Sequence, residues 1–146
     1  NFVYDGKVKT PTVTVTSADG KTVDSANYDI SYANGRKDAG TYDVKVTFKG
    51  NYTGSLTTKF TIAKANQSLK IKSPKKKMKV GAKAKIKIKA NKGHGKVTYK
   101  VSNKKIAKIK KGKLVALKKG KVKLTVTLKA TKNYNQKKVT ITIKVK

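Results

Sequence analysis

Side chains that could perform acid–base or metal chemistry are few in this sequence and lie far apart. The only histidine is His94, between Gly93 and Gly95 in a predicted loop, where an imidazole is usually just solvated. There is no cysteine, which excludes disulfide scaffolds, thiolate zinc sites, iron–sulfur clusters and cysteine nucleophiles. The sequence therefore predicts no catalytic residue, no metal site and no cofactor.

Aspartate supplies all the acidic side chains. There are six, with no glutamate, and all lie within residues 5–43. Their spacing lacks the dense run of oxygen ligands found in an EF-hand loop. Aspartate at a turn accepts hydrogen bonds from nearby backbone N–H groups. We therefore expect the aspartates to form turns and caps rather than a calcium site.

Lysine is the residue type whose abundance needs an explanation. The 146 residues include 38 Lys and Arg, which gives a formal net charge of +32. Residues 1–62 hold eight basic and six acidic side chains, whereas residues 63–146 hold thirty lysines and no acidic residue. So abrupt a change in charge indicates a boundary between two units. We predict two domains, 1–63 and 64–146.

Both halves show the alternation of apolar and polar residues that is typical of half-buried strands. In the first half, Tyr42, Val44, Val46 and Phe48 share one face of such a run. Similar runs cover residues 12–16, 56–62, 83–90, 121–128 and 139–145. No stretch has a helical period, and no apolar run approaches the roughly 18 residues of a membrane span. The pattern predicts an all-β fold made of two small β-sandwich domains in tandem.

Outward strand positions in the second half are filled with lysine. They include the following side chains: Lys83, Lys85, Lys87, Lys89, Lys121 and Lys123. One interpretation is an ordinary solvated surface, since lysine also discourages pairing between strand edges. The other is a polyanion-binding surface, because solubility does not need so much like charge, which repels itself. We favour the second interpretation and predict that these six lysines contact a polyanion.

Short motifs in both halves resemble bacterial immunoglobulin-like surface domains. The first half is similar to surface repeats of large secreted proteins of Gram-positive bacteria, through Tyr4-Asp5-Gly6-Lys7, Asn27-Tyr28-Asp29-Ile30, Ala39-Gly40-Thr41-Tyr42 and Gly50-Asn51-Tyr52-Thr53-Gly54. The second half resembles group 2 bacterial immunoglobulin-like domains, the type seen in intimin and invasin stalks, through Lys79-Val80-Gly81, Val97-Thr98-Tyr99, Ile106-Ala107-Lys108-Ile109 and Gly112-Lys113-Leu114-Val115-Ala116. The large number of lysines in the second half departs from the pattern of group 2 domains.

The resemblance implies two immunoglobulin-like domains from a larger protein of the bacterial cell surface or the secreted fraction. Their role would be that of a stalk, adhesion or cell-wall attachment unit without catalysis. Some Gram-positive surface domains also form Lys–Asn isopeptide bonds with the help of a carboxylate. Residues 64–146 lack that carboxylate, whereas Lys7 or Lys9 in the first half leaves this chemistry open. We expect a monomeric fragment of a longer extracellular chain.

The partner implied by this setting is an anionic wall polymer such as teichoic acid, an anionic glycan or a lipid headgroup. Nonspecific nucleic-acid binding is the alternative, because lysine attracts phosphate of any origin. Residues 63–146 contain no arginine, the side chain that reads guanine with two hydrogen bonds. Tyr99 and Tyr134 are their only aromatic residues, too few for a base-stacking platform.

Overall fold

Strands make up nearly all the regular structure, which confirms the predicted all-β fold of tandem sandwich-like domains. The computed structural model describes residues 1–146 and divides into two units, Asn1–Ala65 and Asn66–Lys146. The one helical element is a single turn of 3-10 helix at Ser25–Asn27. No helix has the length and apolar character that a membrane span requires.

The first unit is built on one four-stranded sheet. Its strands are β1 (Phe2–Val3), β2 (Tyr28–Tyr32), β3 (Gly40–Phe48) and β4 (Ser55–Ala63). The spatial order is β1-β4-β3-β2, with β1 parallel to β4 and the other pairs antiparallel. Alternation in β3 and β4 turns Val44, Val46 and Ile62 into the core.

The core of the first unit is closed by an irregular segment rather than by a second hydrogen-bonded sheet. Val15 and Val23 from the β1–β2 connection pack with Tyr28 and Val46. The strand expected over residues 12–16 does not form, and the segment makes only the bridge between Thr16 and Thr22. The valine side chains of this segment pack inward as the alternation predicts, although its backbone is not hydrogen-bonded to a neighbouring strand.

One edge of the first sheet is largely uncovered. β1 pairs with β4 only at Ile62 and Ala63, so the rest of β4 has no strand partner on that side within this unit. Leu56, near the start of β4, is 59% exposed.

The second unit is a two-layer sandwich. Its strands are β5 (Leu69–Ser73), β6 (Lys77–Met78), β7 (Lys83–Lys85), β8 (Lys87–Ala90), β9 (Val97–Val101), β10 (Ala107–Lys110), β11 (Lys113–Ala116), β12 (Gly120–Leu128) and β13 (Lys137–Val145). One layer has the order β6-β13-β12-β9. The other contains the sheets β10-β11-β7 and β5-β8, which follow one another because only the buried Ile86 separates β7 from β8.

The core of the second unit lies between these layers. Val122, Leu124, Val126 and Leu128 on β12 are all at most 1% exposed. They alternate with outward polar residues, and the first three share one cluster with Leu114 from the facing layer. Burying a side chain of this size contributes about 1.5–3 kcal/mol. Burial of every second residue on β12 therefore stabilises the sandwich. The residues between them must face outward.

Candidate anion-binding surfaces

Four ion pairs lie in the first unit. They are Lys9–Asp5, Lys21–Asp19, Lys49–Asp29 and Lys59–Asp43. The second unit contains no Asp or Glu, so no lysine there can pair with an acidic side chain of the same unit. The positive field of the second unit is therefore not neutralised from within.

The six lysines predicted from sequence lie on two opposite faces. Lys83 and Lys85 are on β7, and Lys87 and Lys89 are on β8, so these four point outward from one layer. Lys121 and Lys123 are on β12, in the other layer. Because the outer faces of a two-layer sandwich point away from each other, the structure brings the first four together and separates the last two from them.

The register of β7, β11 and β10 sets lysines directly opposite one another. Lys113 on β11 pairs with Lys85 on one side and with Lys110 on the other. In the next outward row, Val115 lies between Lys83 and Lys108. Side chains opposed in this way have Cβ atoms roughly 5 Å apart. Like charges placed directly opposite one another destabilise a sheet.

A two-residue hairpin adds one more lysine beside this row. The strands β10 and β11 are joined by Lys111 and Gly112, with φ angles of 48° and 71°. Two successive positive φ angles are what a type I′ turn requires, and Asn-Gly is the preferred pair. Lys111 is the only non-glycine residue of the chain with a positive φ.

We call this surface the hairpin face and define it as Lys83, Lys85, Lys108, Lys110, Lys111 and Lys113. Four of these lysines, with Val115, line a concavity of about 220 Å³: Lys83, Lys110, Lys111 and Lys113. Lys108, Lys110, Lys111 and Lys113 were missed in the sequence analysis. The alternation at residues 107–110, followed by a Lys-Gly turn, is the signal that could have revealed them.

The outer face of β6-β13-β12-β9 mixes lysine with threonine. One row at its end is all lysine, with Lys144 between Lys77 and Lys121. The next outward row sets Lys123 opposite Thr142, and the row beyond Thr125 and Thr140 sets Lys138 opposite Thr127. The hydroxyls of Thr125 and Thr140 lie 2.9 Å apart. This face, which we call the threonine face, therefore has neutral hydroxyl groups at its centre.

A groove of about 460 Å³ lies between β9 and β10. Its lining includes Tyr99 and Ile109 together with Lys100, Lys104 and Lys108. Tyr99 also packs against the core cluster, as its place in the alternation predicts. The ring is half-buried there, so it offers less surface to a base than a free aromatic platform does.

The residues considered for acid–base chemistry have ordinary local contacts. His94 Nδ1 lies 3.0 Å from the carbonyl oxygen of Gly95. No group of three or more His, Cys, Asp or Glu side chains is close enough to hold a metal ion. Asp24 accepts a hydrogen bond from the backbone N–H of Ala26 and caps the 3-10 turn.

Two aspartates of the first unit have lowered pKa values. The pKa of Asp5 lies below its ordinary value mainly because the Lys9 ammonium donates a hydrogen bond to it, with help from the backbone N–H of Lys7. The pKa of Asp19 is lowered mainly by the hydrogen bond from the Ser17 hydroxyl. In the structure, Lys9 is thus engaged with a carboxylate at 2.6 Å.

The first unit matches a known domain family. Residues 1–66 match the MBG domain. This is a β-rich domain of bacterial surface proteins, and the matched stretch agrees with the first unit to within one residue. The match supports the expectation of a bacterial surface module for that half. The assignment of residues 64–146 to group 2 immunoglobulin-like domains stays a prediction.

Among solved structures, the crystal structure of domains 4 and 5 of the S-layer protein SbsC is similar to the chain. The identity is 18%, the match covers 92% of this chain and 80% of that one, and the TM-score is 0.39. A TM-score that low does not establish a shared arrangement of domains. No curated protein sequence matches the chain.

Proposed function

We propose that this chain is a non-catalytic module pair of a larger bacterial surface or secreted protein, in which the second unit binds anionic polymers electrostatically. The MBG-like first unit would serve as stalk, adhesion or wall-attachment structure. One observation carries the binding role: the outward strand faces of the second unit are rich in lysine, and the unit contains no carboxylate side chain.

Repulsion between the lysines of the second unit is not compensated by any acidic side chain in that unit. Lys113 faces a lysine on each neighbouring strand, an arrangement that destabilises a sheet. Mixed charge would keep the unit equally soluble at lower cost to its stability. An external polyanion would remove the repulsion, so it would bind the folded unit and stabilise it at the same time.

Anionic wall polymers and glycans fit this surface better than nucleic acid does. Lysine is a compact point charge that attracts phosphate or sulfate without reading planar groups. The second unit has no arginine for base recognition, and Tyr99 packs against the core. Nonspecific contact with nucleic-acid phosphates is the alternative function, since it needs neither feature.

The test is a salt series with the whole chain and three polymers, namely a teichoic acid, heparin and double-stranded DNA. We expect all three to bind, with log affinity falling linearly as log salt rises, because bound counterions are released. Affinity should follow charge density rather than sugar or base identity. Tight binding of one polymer with little dependence on salt would contradict the proposal and point to a shaped pocket.

A further inference from the structure

The two outer faces of the second unit are not equivalent, and we infer that the hairpin face is the binding site for the phosphate groups of a polyol-phosphate polymer. Lys111, in the turn beside the lysine row, is a further contact of this site. The inference rests on the proposed function and adds which surface is used and for which ligand chemistry.

The first observation is the row of three lysines that crosses three strands. Lys110, Lys113 and Lys85 are in direct register, so their ammonium groups can approach one stretch of polymer from neighbouring strands. Adjacent strands lie about 4.8 Å apart, and outward residues two apart along a strand are separated by about 6.6 Å. Lys83 and Lys108 extend the row in that second direction. The site is therefore a small grid of charge rather than a single line.

The second observation is the backbone of Lys111. A side chain with a Cβ atom is uncommon at a positive φ, and asparagine is far better suited to this position of a type I′ turn. The chain nevertheless has lysine at its one non-glycine position of this kind, beside a concavity lined by three further lysines. A charged residue in an unfavourable conformation beside a cavity is the kind of backbone outlier that occurs at binding sites.

The third observation comes from the threonine face. It has a comparable row of three lysines, Lys77, Lys144 and Lys121, but none of its residues has a strained backbone. Its centre is occupied by the hydroxyl pair of Thr125 and Thr140. That face therefore provides a control with the same number of lysines in register across three strands, although its β13–β6 pair is parallel and Lys121 and Lys144 border a separate concavity of about 510 Å³.

The ligand assignment follows from what the hairpin face lacks. It has no aromatic side chain and no arginine, so bases would gain nothing there beyond their phosphates. A flexible polyol-phosphate chain can place successive phosphates against the grid without unstacking bases. The probe is poly(glycerol phosphate), with single-stranded DNA of equal charge as the comparison.

The first experiment compares two triple variants of the whole chain. One carries Lys85→Gln, Lys110→Gln and Lys113→Gln on the hairpin face, and the other carries Lys77→Gln, Lys121→Gln and Lys144→Gln on the threonine face. We expect the hairpin-face variant to lose at least tenfold more affinity for poly(glycerol phosphate) and to show the larger decrease in salt slope.

Equal losses in the two variants would overturn the inference and leave a diffuse electrostatic surface, which the proposed function allows. No binding by the unsubstituted protein at low salt would overturn the proposed function itself. Tighter binding of single-stranded DNA than of poly(glycerol phosphate) would overturn the assignment of the ligand.

The second experiment uses Lys111 alone. Lys111→Asn removes the charge and relieves the backbone, so we expect a higher melting temperature and at least threefold weaker binding. Lys111→Gln removes the same charge without relieving the backbone, and it should weaken binding similarly with a smaller gain in melting temperature. Unchanged binding by both variants would overturn the role of Lys111, and an Asn variant that melts no higher than the Gln variant would overturn the strain argument.

Discussion

Gln67 holds three separate stretches of the second unit together through one side chain. It is 3% exposed and is the only buried polar or charged residue of the chain. Its Nε2 donates to the carbonyl oxygens of Lys129 at 2.9 Å and Asn135 at 2.7 Å, and its Oε1 accepts from the N–H of Gly95 at 2.9 Å. The sequence offered no sign of this role, because two of the partners are more than 60 positions away.

Replacing Gln67 should therefore destabilise the second unit strongly. Gln67→Ala leaves the buried N–H of Gly95 without its partner, at about 1–3 kcal/mol for an unsatisfied buried group, and removes the hydrogen bonds to two partly buried carbonyls as well. We expect a loss of at least about 2 kcal/mol in the free energy of unfolding, measured with urea. Gln136→Ala is the matched control at an exposed position and should change stability by less than about 0.5 kcal/mol.

The lowered pKa values of Asp5 and Asp19 predict that acid destabilises the first unit. A carboxyl whose pKa is lower when folded contributes stability above its unfolded value of 3.8, and that contribution disappears as pH falls through the folded value. We expect the melting temperature of the first unit to fall below about pH 4. Its aromatic residues provide the signal, since the second unit has only Tyr99 and Tyr134.

Asp5→Asn is the test of the cause, because it removes the charge that Lys9 stabilises. The variant should melt lower than the unsubstituted protein at pH 7, and the two should converge as pH falls below the lowered pKa of Asp5. An acid transition of unchanged depth in a variant lacking both Asp5 and Asp19 would assign it to other carboxyls.

At the scale of elements, alternation was enough to predict the four longest strands and their inward faces, together with β7 and β8, but the run over residues 12–16 did not become a strand. The predicted run over residues 83–90 appears as β7 and β8, which pair with different neighbours on either side of Ile86. Alternation fixes the face of a residue but not its neighbouring strand, so the opposite placement of Lys83 and Lys121 could not be read from the sequence. Register across strands depends on long-range pairing, which is why the row through Lys113 was missed.

The row of three lysines through Lys113 leads us to predict that one substitution will raise stability. Lys113→Glu would place a carboxylate between Lys85 and Lys110 and convert two repulsions into two attractions. Favourable cross-strand charge pairs contribute about 0.2–1 kcal/mol each, so the variant should melt higher at low salt. Lys118→Glu makes the same change in net charge in an exposed turn and serves as the control. Equal gains from both variants would show that net charge matters and register does not.

At the scale of the whole molecule, we predict that the two units fold independently. The change in charge along the sequence predicted a domain boundary between residues 63 and 64. The fold places the boundary between the two units at Ala65 and Asn66, so fragments should end and begin there. Fragments 1–65 and 66–146 should each unfold in one cooperative transition, followed by circular dichroism. Added sulfate should raise the melting temperature of fragment 66–146 more than that of fragment 1–65, because it screens repulsion between lysines. A fragment that is unfolded on its own would mean that the units share their stability.

The uncovered edge of β4 has a consequence for how many copies of the protein behave together. The unpaired edge of β4, which carries the exposed Leu56, is a template for the same strand of another molecule. Each molecule also carries a formal charge of +32, so copies repel one another before their edges can meet. This colloidal protection is lost where a polyanion neutralises the lysines. Turbidity should therefore peak near the ratio at which polymer and protein charges balance, and clear again when either one is in excess.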